Sequence, residues 1–141
     1  MISSDAGPAT NAMQDRVLLA ARLLVTPLFI YSGIGKVLAF GITASRLPGG
    51  EGGFGSFLAA GSIVIELGCS LALILGLWTR CAALALIVFT ILATLMFHNF
   101  WASPPAAVTA QTVNFLKNLG LIGLFALIAA FGPGAYALRK K

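Results

Sequence analysis

Five ionisable side chains, Arg22, Lys36, Glu66, His98 and Lys117, interrupt the long apolar runs of this 141-residue chain. A carboxylate and an imidazole can exchange protons, and an ammonium or guanidinium can donate hydrogen bonds to a carbonyl or an anion. A charge at the centre of a bilayer costs ~2.5–3.5 kcal/mol on insertion scales, so such residues face a protein interior, a partner or a water-filled site. Any function is to be sought around these five positions.

The elements that must hold them are membrane helices. Hydrophobic residues make up 59% of the chain and charged residues only 9%, with a mean hydropathy of +0.98, a composition foreign to soluble domains of this length. Apolar runs cover residues 17–40, 54–77, 81–101 and 112–131, each near the ~20 residues that ~30 Å of hydrocarbon requires. They are too long and too continuously apolar for the strands of a membrane barrel, so four helices are predicted. The joins agree: a glycine-rich segment over 49–53, a tight turn around Trp78-Thr79-Arg80, paired prolines at 104 and 105, and Gly132-Pro133-Gly134 after the last run. The fold class is all-α, an integral four-helix bundle running up-down-up-down.

If the helices alternate, Arg16, Arg80, Arg139, Lys140 and Lys141 share one side and Arg46 stands alone on the other. The positive-inside rule then puts both termini in the cytoplasm, and the chain is expected in the cytoplasmic (inner) membrane. The net charge of +5 is explained this way and requires no nucleic acid. Residues 1–16 read as a disordered cytoplasmic tail rather than a signal peptide, and 135–141 as a basic cytoplasmic tail. Cys69 and Cys81 flank the turn near residue 79 at heights ~12 Å apart, too far for a disulfide, which requires Cα atoms within ~7 Å.

Counted from the outer ends of the runs at ~1.5 Å per residue, Lys36 lies ~6 Å deep, His98 ~5 Å, Lys117 ~8 Å and Glu66 ~18 Å. The first three form an outer layer, with Glu66 near the midplane and Arg22 near the cytoplasmic end. Arg22 and Lys36 share a face of the first helix that points into the bundle. Gln111, Asn114 and Asn118 make a polar stripe beside Lys117. With Tyr31, Phe97, Phe100 and Trp101 as walls, this becomes an outer polar cavity that a quinone headgroup, or a small anion with an apolar part, could use. Gly61 with Gly68, and Gly120 with Gly123, mark faces where helices can approach.

Plainer accounts compete. Lys36 and Lys117 are near enough to the interface to snorkel, and Trp101 fits an aromatic belt. Glu66 is too deep to snorkel, so it is protonated, hydrated, or paired with Arg22, Lys36 or Lys117 in a structural ion pair. His98 is the only histidine; a six-coordinate haem would need an axial ligand from another subunit, and no metal-site spacing is present. No nucleophile motif, catalytic triad or phosphate-binding loop stands in the sequence.

The same residues form an ordered series. Arg22-Leu23-Leu24, Phe29 and Ser32-Gly33-Ile34-Gly35-Lys36 come first, then Glu66-Leu67-Gly68 and Gly76-Leu77-Trp78-Thr79-Arg80-Cys81-Ala82-Ala83. Phe97-His98-Asn99-Phe100-Trp101, Phe115-Leu116-Lys117-Asn118-Leu119 and Gly132-Pro133-Gly134 follow. In order and spacing the chain resembles the DoxX family of small four-helix bacterial membrane proteins, over nearly all of its length beyond residue 16. The resemblance implies a neighbourhood of quinone-linked membrane oxidoreductases and of oxidative-stress or thiol defence.

The function expected is that of a membrane subunit binding a quinone-like molecule near the outer leaflet and working with a membrane or redox partner. It is at most a quinone-binding part of an enzyme, with no cofactor of its own. Lys36, Lys117 and Asn118 would donate hydrogen bonds, His98 would exchange protons, Trp101 would stack, and Glu66 would relay a proton or fix the cluster, with Glu66 and His98 the catalytic candidates. Arg22 and Glu66 are the buried charges in need of pairing. Lipids are expected around the bundle, and self-association is left open. The alternative is a structural or assembly subunit; a transporter is disfavoured, since no inverted repeat or broken apolar run is visible.

Overall fold

The computed structural model describes residues 11–138. Four helices long and apolar enough to cross a membrane make this a multi-pass membrane protein. Helix α1 spans Ala12–Leu38, and its cap is Asn11, whose side chain accepts a hydrogen bond from the Gln14 amide at 2.8 Å. Residues 12–16 are therefore helical and not part of a tail; residues 1–10, assigned to that tail, lie outside the described residues.

The first join holds an element that the apolar runs do not reveal, a short helix α2 over Phe40–Ser45. Turns through Gly49, Gly50 and Gly52, all at positive φ, carry the chain into α3, Phe54–Leu75. Gly76 closes α3 in the left-handed region (φ 71°), with Leu77 N–H donating to Ala72 O at 2.8 Å. Helix α4 covers Thr79–Phe97, two residues earlier at its start and four shorter at its end than its apolar run. A single 3₁₀ turn, Phe100–Ala102, leads to α5, Pro105–Phe131. The prolines start this helix rather than standing clear of it, because a proline in the first turn gives up an N–H that has no helical acceptor there.

Helix α1 packs on α3, α3 on α4 and α4 on α5, with a lighter contact between α5 and α1 closing the ring. The core fills one half of the bundle: Val25, Phe29, Leu73, Ala83, Leu86, Phe125 and Ile128 are buried together. The Phe29 ring meets Phe125 at 5.4 Å and Phe89 at 6.4 Å between centroids. Helices approach most closely at Gly33 and Gly55, where an added Cβ would lie 2.7 Å from Leu67 Cδ2 and 2.5 Å from Ala44 O. The expected close approaches at Gly61, Gly68, Gly120 and Gly123 are not made, since each faces open space. Cys69 and Cys81 are free.

Both ends of the described chain meet at the end of the bundle where α3 turns into α4. Residues 132–138 fold back beneath the helices, so the part of the basic tail that is described, 135–138, is tied down. Ala135 N–H donates to Asp15 Oδ1 at 2.8 Å and Leu138 N–H to Leu75 O at 2.9 Å. The fully buried Arg22 donates from Nη1 to Leu73 O at 3.0 Å and from Nη2 to Tyr136 O, joining α1, the end of α3 and this strap.

Candidate functional site

In the other half of the bundle the interior turns polar. Ser32 and Lys36 lie one turn apart on α1, and both reach Glu66 on α3. Ser32 Oγ donates to Glu66 Oε1 at 2.8 Å and Lys36 Nζ to Oε2 at 2.6 Å. The Lys36 ammonium also stands 5.1 Å from the centroid of the Phe89 ring on α4, a cation–π distance. Glu66 is buried, with a side chain 3% exposed, whereas Lys36 keeps 25% of its side chain accessible. The result is a hydrogen-bonded ion pair with a closed acidic side and a half-open basic side.

This contact corrects the heights counted from sequence. Lys36 and Glu66 come out ~12 Å apart at ~1.5 Å per residue, yet they touch. The count assumed that α1 ends and α3 begins in one plane. Instead the first turns of α3 pack on α2 and rise past the end of α1, so a residue twelve places into α3 is level with one two places from the end of α1.

Further toward that end, Thr94 on α4 accepts from Asn118 Nδ2 at 2.8 Å and itself donates to Thr90 O at 2.6 Å. His98 caps the C-terminal end of α4, still within the Thr79–Ala102 span, and its Nδ1 lies 2.8 Å from Gln111 Oε1. The contact ties the imidazole at the end of α4 to the first turns of α5. Trp101 is 59% exposed and meets Phe100 and Phe115 edge-on, at 5.2 and 6.0 Å, in an aromatic cluster at the rim.

The structure thus brings Lys36 to Glu66, His98 to Gln111 and Asn118 to Thr94, but leaves Lys117, Tyr31 and Arg22 outside. Lys117 is exposed, flanked by the exposed Leu116 and Leu119, and makes no ion pair among the described residues. Tyr31, 82% exposed, faces outward too. Arg22 is buried at the opposite end on two carbonyl oxygens and has no part in the Glu66 pair.

A family model described as DoxX matches residues 17–99, which hold most of the first three spans and the whole Ser32–Lys36–Glu66 cluster. The chain belongs to the DoxX family. Its curated relatives include inner membrane protein YqjF of Escherichia coli strain K12, 34% identical over 128 residues, covering 91% of this chain and 93% of the relative. Inner membrane protein YphA of the same organism is 30% identical over 131 residues, covering 93% of this chain and 94% of its own. No solved structure matches.

Within this DoxX chain several positions in and around the polar interior carry no charge, so charge and depth do not point to them. Ser32 precedes Lys36 by four residues and therefore shares its face, a signal that was present. Thr90 and Thr94 repeat at i, i+4 on the buried face of α4. Phe89 carried no signal, because one aromatic among ten phenylalanines says nothing of a cation above it.

Gly33 lets α1 come close enough for the cluster to form. A Cβ there would meet Leu67 Cγ at 2.8 Å and Glu66 Cβ at 3.4 Å. Gly33→Val is therefore expected to push α1 off α3, break the Ser32–Glu66 bond and cost about 1–3 kcal/mol. A detergent melting curve checks this, and an unchanged midpoint would mean the two helices have slack.

Proposed function

We propose that this DoxX-family chain is a membrane subunit that binds a quinone, or a small molecule of the same amphipathic kind, at the Lys36–Glu66 cluster and serves a quinone-linked oxidoreductase or oxidative-stress complex. The half-open ion pair carries the reading. Lys36 spends one of its three donors on Glu66 and keeps accessible surface, so a ring carbonyl can accept from it beside the Phe89 face. His98 would pass protons at the rim, and Trp101 would stack on a ring. The chain needs no cofactor of its own, since the ligand comes from the membrane. On the positive-inside rule the strap end, with Arg16 and Arg80 and followed in sequence by Arg139, Lys140 and Lys141, faces the cytoplasm of a bacterial cell. The cluster then opens toward the outer leaflet of the inner membrane.

A second reading has its own observation: Ser32 and Lys36 already occupy both oxygens of Glu66. The cluster can hold α1 to α3 without any ligand, as in a structural or assembly subunit that docks another membrane protein. Native mass spectrometry and lipid extraction of gently solubilised protein separate the two. Quinone is expected to leave with the wild type and with Lys117→Ala, but not with Lys36→Gln. Protein that carries no quinone and takes up none on titration would end the binding reading.

A further inference from the structure

The serine and threonine hydroxyls of the bundle behave in two ways. Thr94, Thr112, Ser62 and Thr26 each donate to a carbonyl three or four residues earlier in their own helix, at 2.6, 2.8, 2.8 and 3.4 Å. That local bond is open to any helical serine or threonine and is the usual refuge of a hydroxyl in an apolar setting. Thr79, at the first position of α4, has no preceding turn to accept its bond and is buried without a partner. Ser70 and Thr90 are mid-helix and still do not take the local bond: they are 0% and 3% exposed, and neither hydroxyl oxygen has a hydrogen-bond partner. A buried hydroxyl left dry is destabilising, so each such case calls for an explanation.

Both hydroxyls sit at the Glu66 cluster. Ser70 is one turn from Glu66 on the same buried face of α3, with Cβ atoms ~5–6 Å apart at that spacing. Thr90 directly follows Phe89, the ring beneath the Lys36 ammonium. Counted from the turn that joins α3 to α4, Glu66 stands ~14 Å up one helix and Thr90 ~17 Å up the other, at ~1.5 Å per residue. The Glu66 carboxylate has about four lone-pair positions, and Ser32 and Lys36 use two. Two unused acceptor positions thus lie beside two buried unpaired hydroxyls, Thr90 about level with Glu66 and Ser70 one helix turn nearer the α3–α4 turn.

We propose that Ser70 and Thr90 hold ordered water against the Glu66 carboxylate, making a hydrated acidic site inside the span. Water in such a place is stable because it finds two to four polar partners. It gives the carboxylate a proton-exchange partner that leaves the Lys36 bond in place. Phe29, Leu73, Leu86 and Phe125, all 5% exposed or less, close the site toward the Arg22 end. Exchange therefore runs toward the His98 end, where Thr94, Asn118 and Gln111 continue the polar interior. The site does not depend on which ligand Lys36 takes up.

Thr90→Val and Ser70→Ala test this through the sign of the change, because deleting an unpaired hydroxyl stabilises whereas deleting one that anchors water destabilises. Measured on the full chain in nanodiscs, each variant is expected to melt about 3–6 °C below wild type, with Thr90→Ser close to wild type. The antisymmetric carboxylate stretch of Glu66, identified by its loss in Glu66→Gln, is expected to shift in Thr90→Val. Equal or higher midpoints would overturn the proposal. So would a lower midpoint with an unmoved carboxylate band, since that pattern is packing alone.

Discussion

Lys36→Met, made with Glu66 left in place, is expected to destabilise the protein by about 3–5 kcal/mol, the cost of stranding one member of a buried ion pair. Glu66 is the reason for the size of the effect. Its side chain is 3% exposed and two helix turns from any free end, so without Lys36 it must take up a proton or draw in water. Lys36→Met combined with Glu66→Leu is expected to recover most of the loss, because an apolar pair of similar volume avoids both desolvation costs. That double variant also separates the two functional readings. A bundle that melts near wild type but no longer carries quinone places the ligand on the pair; one that stays as unstable as the single variant makes the pair a structural clamp that no apolar contact replaces. Melting midpoints and bound quinone, measured on the same preparations, decide between them.

The second large effect belongs to Arg22, at the opposite end. Arg22→Ala removes two hydrogen bonds from a charged donor, worth about 1.5–3 kcal/mol each, and leaves a void where the largest fully buried side chain stood. Relief from burying the charge offsets part of this, for an expected net loss of about 3 kcal/mol, or on the order of 10 °C in midpoint. Arg22→Lys is expected to restore less than half, because one ammonium cannot span the carbonyls of Leu73 and Tyr136 as the guanidinium fork does. Gly76 explains why the joint tolerates nothing larger: a Cβ there would stand 2.4 Å from Ala137 Cβ and 2.6 Å from Arg22 Nη1. Limited proteolysis supplies a readout beyond stability. Cleavage after residue 131 should speed up in Arg22→Ala before the rest of the bundle opens, and an unchanged rate would mean that Asp15 and Leu75 hold the strap unaided.

The two joints were unequally legible in the sequence. Four apolar runs announce four spans, because each is long enough to cross a bilayer and no soluble domain needs them. Glu66 announces that it needs a partner, since a carboxylate so far from both helix ends cannot snorkel to the interface. The partner's identity depends on relative height, and height could not be counted while α2 was invisible, six residues whose composition continues the first apolar run. Lys117 shows a different limit. Gln111, Asn114 and Asn118 face one way at i, i+3 and i+7, and ~100° of rotation per residue turns the neighbour of Asn118 off that face. Grouping Lys117 with the stripe overrode its own periodicity. The strap was unreadable because Asp15 and Ala135 are 120 residues apart, and nothing local to either marks the contact.

That separation bears on how the protein is made. Arg22 enters the membrane with the first helix, but one of its two acceptors, Tyr136, lies 114 residues later. At roughly 5–20 residues per second, the ribosome takes on the order of 6–23 s to deliver it. Through that interval the first helix holds a guanidinium whose final neighbours do not yet exist, so it must wait at the bilayer edge, in the translocon or beside lipid phosphates. The joint between α1 and the strap can close only once Tyr136 has been made, so this contact forms after all four spanning helices exist.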